Sequence, residues 1–195
     1  MGVLGKKIIN FFVPHSFFIL TKMVLHFLIL LLFFSPAFLA NATPVLAMHI
    51  PGLKHWNTPV SEKIFGKNKT IRGFVSGIFV AIITGGILFF LGQKFLFFWH
   101  FLSWGQMLIL GFLMGCGALL GDALESFIKR RMGKKPGSSW PFWDGIDYLV
   151  GALIFTLPYF VPSVPEIIFL LLFSPTISLI TNTMAYFLGL KKVWY

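Results

Sequence analysis

Residues 121–148 read GDALESFIKRRMGKKPGSSWPFWDGIDY, and this stretch decides how the rest of the chain is read. The chain has six acidic residues, and four of them, Asp122, Glu125, Asp144 and Asp147, fall here. Five of the sixteen basic residues fall here too: Lys129, Arg130, Arg131, Lys134 and Lys135. The surroundings are apolar. Hydrophobic residues make up 57% of the 195, charged residues 11%, and the mean hydropathy is +0.86. Soluble domains carry about 25% charged residues. The composition therefore implies an integral membrane protein that keeps its polar chemistry in one place. A net charge of +10 on such a chain reads as membrane topology, anionic lipid or a phosphorylated substrate, rather than nucleic acid.

Working outward, five apolar segments approach the length of about 20 residues that a helix needs to cross a bilayer. They lie at roughly 17–40, 73–91, 104–121, 146–162 and 165–188. The predicted fold is all-α: a bundle of about five transmembrane helices forming one catalytic domain over 1–195, with two basic loops on one side. Pro158 is expected to kink the fourth segment. Lys6 and Lys7, the apolar run and Ala40-Asn41-Ala42 together look like a secretory signal, but charge placement argues against cleavage. With the first helix retained, the loops at 41–72 and 122–145 and the C-terminus share a side that carries twelve of the sixteen cations. The positive-inside rule makes that side cytoplasmic, in a multi-pass cytoplasmic membrane protein. The sequence is silent on oligomeric state, and a homodimer is compatible with it.

The loop at 41–72 holds Pro44, Pro51, Gly52 and Pro59, which interrupt helices. It ends in Lys67-Asn68-Lys69-Thr70-Ile71-Arg72-Gly73. The glycine spacing of a P-loop is missing. Anchoring at the membrane surface explains the cations. A grip on phosphate explains them as well, since a second basic loop lies on the same side. Glycine pairs at four-residue spacing, Gly73/Gly77, Gly111/Gly115 and Gly117/Gly121, suit close helix packing in lipid. The aromatic residues around Trp99 read as mostly lipid-facing or interfacial. Cys116, the single cysteine, reads as a small buried hydrophobe.

In the central stretch, Asp122, Ser126, Lys129 and Arg130 stack along one helix face, with Glu125 beside it and four residues before Lys129. A helical salt bridge accounts for Glu125 and Lys129. An acid at the membrane boundary still needs a cation, a metal or water. After a polar hinge at 133–139, Pro141 suits a helix start. Asp144 and Asp147 follow at i, i+3 and point the same way. A helix dipole explains one of these acids, but not both together with Asp122. Convergent carboxylates among lysines and arginines suggest a metal–phosphate site, and hard oxygen ligands of this kind bind Mg2+. No zinc-type His/Cys spacing and no Ser/His/Asp arrangement is legible. The chemistry that fits is phosphoryl or nucleotidyl transfer at a membrane surface. The rival reading is a small transporter or lipid-translocating protein, which would place its acids near the bilayer midplane between repeated halves.

These residues resemble those of the CDP-archaeol synthases, relatives of the phosphatidate cytidylyltransferases. Ser126-Phe127-Ile128-Lys129-Arg130-Arg131, then Gly133, Pro141, Asp144, Asp147-Tyr148 and Gly151-Ala152-Leu153, is similar to the signature shared by both. Lys69-Thr70 with Arg72-Gly73, Ala40-Asn41-Ala42 with Pro44-Val45, and Thr181-Asn182 through Gly189-Leu190-Lys191-Lys192-Val193 resemble elements of the archaeol branch. Ile71, Lys67-Asn68 and Gly145 depart from its pattern. The resemblance implies a CTP-dependent cytidylyltransferase that turns a lipid phosphate into a CDP-lipid and releases pyrophosphate, for phospholipid biosynthesis. Its partners would be CTP, a lipid phosphate (ether isoprenoid or diacyl) and membrane lipids. It also implies Asp122, Asp144 and Asp147 on Mg2+, and Lys69, Arg72, Lys129, Arg130 and Arg131 on phosphates. Thr70 belongs to the same CTP-binding element, and Ser126 and Asn182 give polar support.

Overall fold

Pro44 stands inside a helix, where the sequence alone predicts a loop. The computed structural model describes residues 15–135, 138, 140 and 142–193. The chain divides into two compact units between Phe33 and Phe34. The first contains α1 (His15–Phe33), a mostly apolar helix. The second contains α2 (Ser35–Ala47), the single turns α3 (Pro51–Lys54) and α4 (Glu62–Phe65), and the long helices α5 (Ile71–Phe95), α6 (Trp104–Arg131), α7 (Trp143–Thr156) and α8 (Val164–Phe187). No strand longer than an isolated bridge occurs among the described residues.

The all-α membrane architecture holds. Among the described residues, α5, α6 and α8 are long and apolar enough to cross a membrane, and α1 with α2 makes a fourth span if the pair is counted as one. Two expected boundaries move. The segment expected at 17–40 ends as a helix at Phe33, and α2 starts with Pro36 in its first turn. The segment expected at 146–162 is helical only to Thr156. Leu157 keeps helical geometry as the cap, and Pro158, which has no N–H to continue the hydrogen-bond ladder, follows where the helix ends instead of kinking it. At 14 residues α7 is about 21 Å long, shorter than the ~30 Å hydrocarbon core. Pro136, Gly137, Ser139 and Pro141, on which the hinge and the helix start were read, lie outside the described residues, as do Lys6 and Lys7.

Pro44 lacks the N–H that would bond to the carbonyl of Ala40. That carbonyl faces α5 at Gly77, 2.8 Å from where a Cβ would stand, and the Pro44 ring rests on Gly73 at 3.1 Å by the same measure. The proline is tolerated because glycines on the neighbouring helix receive its ring and the freed carbonyl. The α5–α6 seam follows the same rule, with Gly111 against the Ala81 carbonyl (2.5 Å) and Gly115 against the Ala81 Cβ (2.7 Å). Trp99, expected among lipid-facing aromatics, is buried. Its indole N–H donates to the Leu88 carbonyl at 2.7 Å. A buried indole N–H needs such an acceptor, and sequence pattern does not reveal it.

Helix starts are fixed by local chemistry. Ser103 and Gln106 form a reciprocal cap on α6, and Ser163 and Glu166 do the same for α8. The Thr70 hydroxyl accepts the Gly73 N–H at 3.2 Å and caps α5. Just before it, Val60 N–H donates to the Lys69 carbonyl (2.8 Å) and Ile71 N–H to the Thr58 carbonyl (2.9 Å). Gly66, at φ +86°, supplies the positive-φ turn between the two arms of this loop. The loop is thereby pinned so that Lys69 arrives at the mouth of α5.

The seam that matters most joins α6 to α7. A Cβ on Gly117 would strike the Gly151 carbonyl, and one on Gly121 would strike the Asp147 carbonyl. A Cβ on Gly151 would lie 3.0 Å from the Gly121 Cα. Backbone meets backbone here, so Asp122 and Asp147 are carried on helices in direct contact. Gly151→Leu is expected to lower stability by about 3 kcal/mol, the upper part of the overpacking range, and to remove most activity. Gly52→Ala, where a Cβ meets nothing within 4 Å, should change the thermal midpoint in detergent little. Equal midpoints for both variants would contradict the packing account.

Candidate active site

The last turns of α6 and the first turns of α7 bring four of the six acids to one place. Carboxylate oxygens of Asp122, Glu125 and Asp147 all lie within 4.8 Å of one another. Asp122 and Glu125, three apart on α6, share a helix face. Asp147 reaches them across the Gly121 contact, and its Oδ1 accepts the Tyr148 N–H at 2.7 Å. Three carboxylates at this spacing repel one another by a few kcal/mol per pair even at an effective dielectric of about 20, so the cluster needs positive charge.

Two lysines supply part of it. Lys69, delivered by the pinned loop, pairs with Asp122. Lys129, itself buried, pairs with Glu125 at 2.8 Å and with Asp144. The helical salt bridge read from the sequence is therefore present, and it is part of the site. Asp147 has no ion pair among the described residues. Burial alone would push the Asp144 carboxyl up. Hydrogen bonds with Glu125 and Lys129 and from the Trp140 N–H (2.8 Å) outweigh that and hold it below the usual carboxylate range.

The trio expected from the sequence was Asp122, Asp144 and Asp147. The structure brings Asp122 and Asp147 together with Glu125 and ties Asp144 to Lys129. The difference is one of register. Asp144 precedes Asp147 by nearly one turn, which places it beside the end of α6 where Lys129 stands, whereas Glu125 faces Asp147. The i, i+3 spacing of Asp122 and Glu125 is a usable signal, but the i, i+4 pair of Glu125 with Lys129 masks it in the sequence.

The cluster opens into a cavity of about 810 Å3. Its walls include Lys69, Thr70, Arg72, Asp122, Glu125, Ser126, Lys129, Arg130, Asp144 and Asn182, so most of the expected site residues meet around one space. Thr70 is committed to the helix cap. The buried Arg72 guanidinium donates to the Leu53 and Lys54 carbonyls and to Asn57 Oδ1, at 3.1–3.2 Å, bracing the loop. Asn182 accepts from Lys191 Nζ at 3.1 Å. Lys191 and Lys192, read from the sequence as topology markers, also line the cavity. Burial pulls the Lys191 ammonium below its usual value, against the raising effect of Asp144 and Asp122. Arg131 is not on this wall. It lies on the exposed side with its guanidinium 5.2 Å from the Phe127 ring centre.

Gly145, one of the departures from the family pattern, also has a structural role. A Cβ there would come within 2.6 Å of the Pro175 Cα on α8. The Ser174 hydroxyl donates to the Gly145 carbonyl and, at 2.7 Å, accepts from the Tyr148 hydroxyl. The glycine lets α8 close against the first turn of α7.

Residues 20–195 match the family model CarS-like: CDP-archaeol synthase. The chain belongs to the CDP-archaeol synthase family. Similar curated members include the CDP-archaeol synthase of Methanococcus aeolicus, 38% identical over 172 residues, covering 84% of this chain and 94% of that protein. That of Thermococcus onnurineus is 36% identical over 161 residues, covering 81% and 91%. A solved structure, described as an intramembrane enzyme for archaeal membrane lipids biosynthesis, superposes with a TM-score of 0.64 at 24% identity, covering 77% of this chain and 90% of that one. This likeness supports the membrane fold. Family membership and fold agree with the resemblance read from the sequence motifs.

Proposed function

We propose that this chain is a cytidylyltransferase that uses CTP to convert a membrane lipid phosphate into a CDP-lipid, releasing pyrophosphate. Membership of the family supports the activity. The observation that carries the site assignment is the meeting of Asp122, Glu125 and Asp147 on two helices whose backbones touch. The donor set is all carboxylate oxygen, from three side chains, with one acid lacking an ion pair among the described residues. That set fits a hard divalent cation such as Mg2+. Bound there, Mg2+ would neutralise charge on the CTP phosphates.

The remaining steps belong to the side chains. A phosphomonoester is largely a dianion at neutral pH, its second pKa being about 6. Its oxygen therefore needs no general base to attack the α-phosphorus of CTP. As that P–O bond forms, the bond to the β-phosphate bridging oxygen breaks and pyrophosphate leaves with the electron pair. The protein's task is to place the two reactants and to stabilise charge as it develops. Lys129 is fixed between Glu125 and Asp144 at the cavity wall, and Lys69 stands opposite on Asp122. Both present cations to phosphates in the cavity. Lys191, Lys192 and Arg130 add charge around the rim. Arg72, Thr70 and Asn182 act by holding the loop, the α5 cap and Lys191 in place.

The basic loops put this cavity on the cytoplasmic side by the positive-inside rule, where CTP is available. The name CDP-archaeol synthase, carried by the family model and the curated relatives, points to an ether-linked isoprenoid phosphate as acceptor, and we assign that class to this chain. The transporter reading receives no support: the acids gather at one end of the α6–α7 pair, not at its middle. The test supplies purified protein with radiolabelled CTP, Mg2+ and a panel of ether and diacyl lipid phosphates. Labelled CDP-lipid, formed fastest from the ether lipid and abolished by EDTA, is expected. Lipid movement across vesicles without CTP turnover would overturn the reading.

A further inference from the structure

A second cleft, of about 370 Å3, is lined by Lys63, Ile64, Phe127, Arg130 and Arg131. It lies between α4 and the last turn of α6. α6 has 28 residues and is about 42 Å long, longer than the ~30 Å hydrocarbon core, and its last turn carries Lys129, Arg130 and Arg131, so this is the end suited to the headgroup layer. The cleft differs in kind from the main cavity. It presents three cations and, among the described residues, no carboxylate. Its other walls are apolar, and Ile64 is exposed.

Arg130 belongs to both spaces. Its Nε and one Nη are buried and lack a hydrogen-bond partner among the described residues. A buried guanidinium nitrogen without an acceptor is costly, and planar guanidinium groups bind phosphate through paired N–H donors. The side chain thus has donors to offer to an anion between the two spaces.

We propose that this cleft receives the phosphate of the lipid acceptor, arriving from the side, while the CTP phosphates occupy the main cavity. The proposal rests on the cytidylyltransferase reading and assigns one substrate to each space. A metal-bound triphosphate belongs where the carboxylates are. A phosphomonoester dianion on a hydrocarbon tail matches a cleft with three cations, no acid and apolar walls. Arg131, grouped with the CTP-binding residues on sequence grounds, is reassigned to the lipid, together with Lys63, which the sequence did not single out. Arg130 is the group on which the two phosphates meet.

The experiment is steady-state kinetics in mixed micelles, with the wild type assayed first. If the wild type forms no CDP-lipid, the cytidylyltransferase reading itself fails, and this proposal with it. Given wild-type turnover, the Lys63→Ala/Arg131→Ala variant is expected to raise KM for the lipid phosphate about tenfold. KM for CTP and inhibition by pyrophosphate should stay within about twofold. Both side chains are exposed, and an unchanged KM for CTP also shows that the fold is intact. Arg131→Lys alone, which keeps the charge, should keep most of the lipid affinity. Lys191→Ala should do the reverse of the double variant, raising KM for CTP only. A double variant that raises KM for CTP in proportion, weakens pyrophosphate inhibition, or leaves the lipid KM unchanged overturns the assignment.

Discussion

Asp147→Asn is expected to lower kcat by about 10²- to 10³-fold, the scale seen when one preorganised electrostatic contact is lost, and to raise the Mg2+ concentration needed for half-maximal rate. The substitution is nearly isosteric and keeps the Oδ1 that accepts the Tyr148 N–H, so the protein should still insert and melt near the wild-type temperature. Asp122→Asn should act in the same direction, with an added loss from its Lys69 pair. Asp144→Asn is the informative contrast. Asp144 binds Lys129 and the Trp140 N–H, so its loss should weaken CTP use while leaving the Mg2+ requirement close to wild type. Titrating Mg2+ against rate for the three variants decides between them. If Asp144→Asn shifts the Mg2+ requirement as strongly as Asp147→Asn does, the cation belongs to the carboxylates first read from the sequence.

Lys129→Met should have the second-largest effect, and it acts on stability as well as turnover. Lys129 is 7% exposed and lies between Glu125 and Asp144. Removing one partner of a buried ion pair costs about 3–5 kcal/mol, because the remaining charge is left without compensation. Lys129→Met/Asp144→Asn removes charge from both sides and should recover part of the stability but none of the activity. The pH dependence separates these effects. Asp144 is held below the usual carboxylate range in the folded protein. Its contribution is fully present above the unfolded value, near 3.9, and is lost as pH falls through the lower folded value. Wild type should therefore lose stability on acidification in that window. In Lys129→Met the unpaired acids resist ionisation, so acidification toward pH 5 should raise its thermal midpoint. A variant that follows the wild-type curve would show that Lys129 does not hold the acids.

Much of this was legible in the sequence because a membrane chain has few reasons to carry acids. With six in 195 residues, the grouping of four near one helix boundary located the site before any geometry. The glycine pairs were legible for a related reason: lipid gives no hydrophobic drive between helices, so close backbone contact is the use left to them. Three features were not legible. Glu125 satisfied a local rule, the i, i+4 pair with Lys129, and its second role depends on where α7 crosses α6. Pro44 reads as a helix breaker, and only the glycines of α5 make it acceptable inside α2. The division of cations between two spaces depends on the face each one occupies. Arg130 and Arg131 are adjacent in sequence, yet only Arg130 reaches the main cavity.

The central claim is that Asp122, Glu125 and Asp147 form the cation seat at which CTP is turned over. The most direct measurement is anomalous scattering from crystals of the protein grown with Mn2+ and a non-hydrolysable CTP analogue. The account predicts a peak in coordinating contact with these three carboxylates, with Lys129 facing the analogue's phosphates. A peak held by Asp144 in place of Glu125, or bound analogue with no cation on the α6–α7 carboxylates, would contradict it.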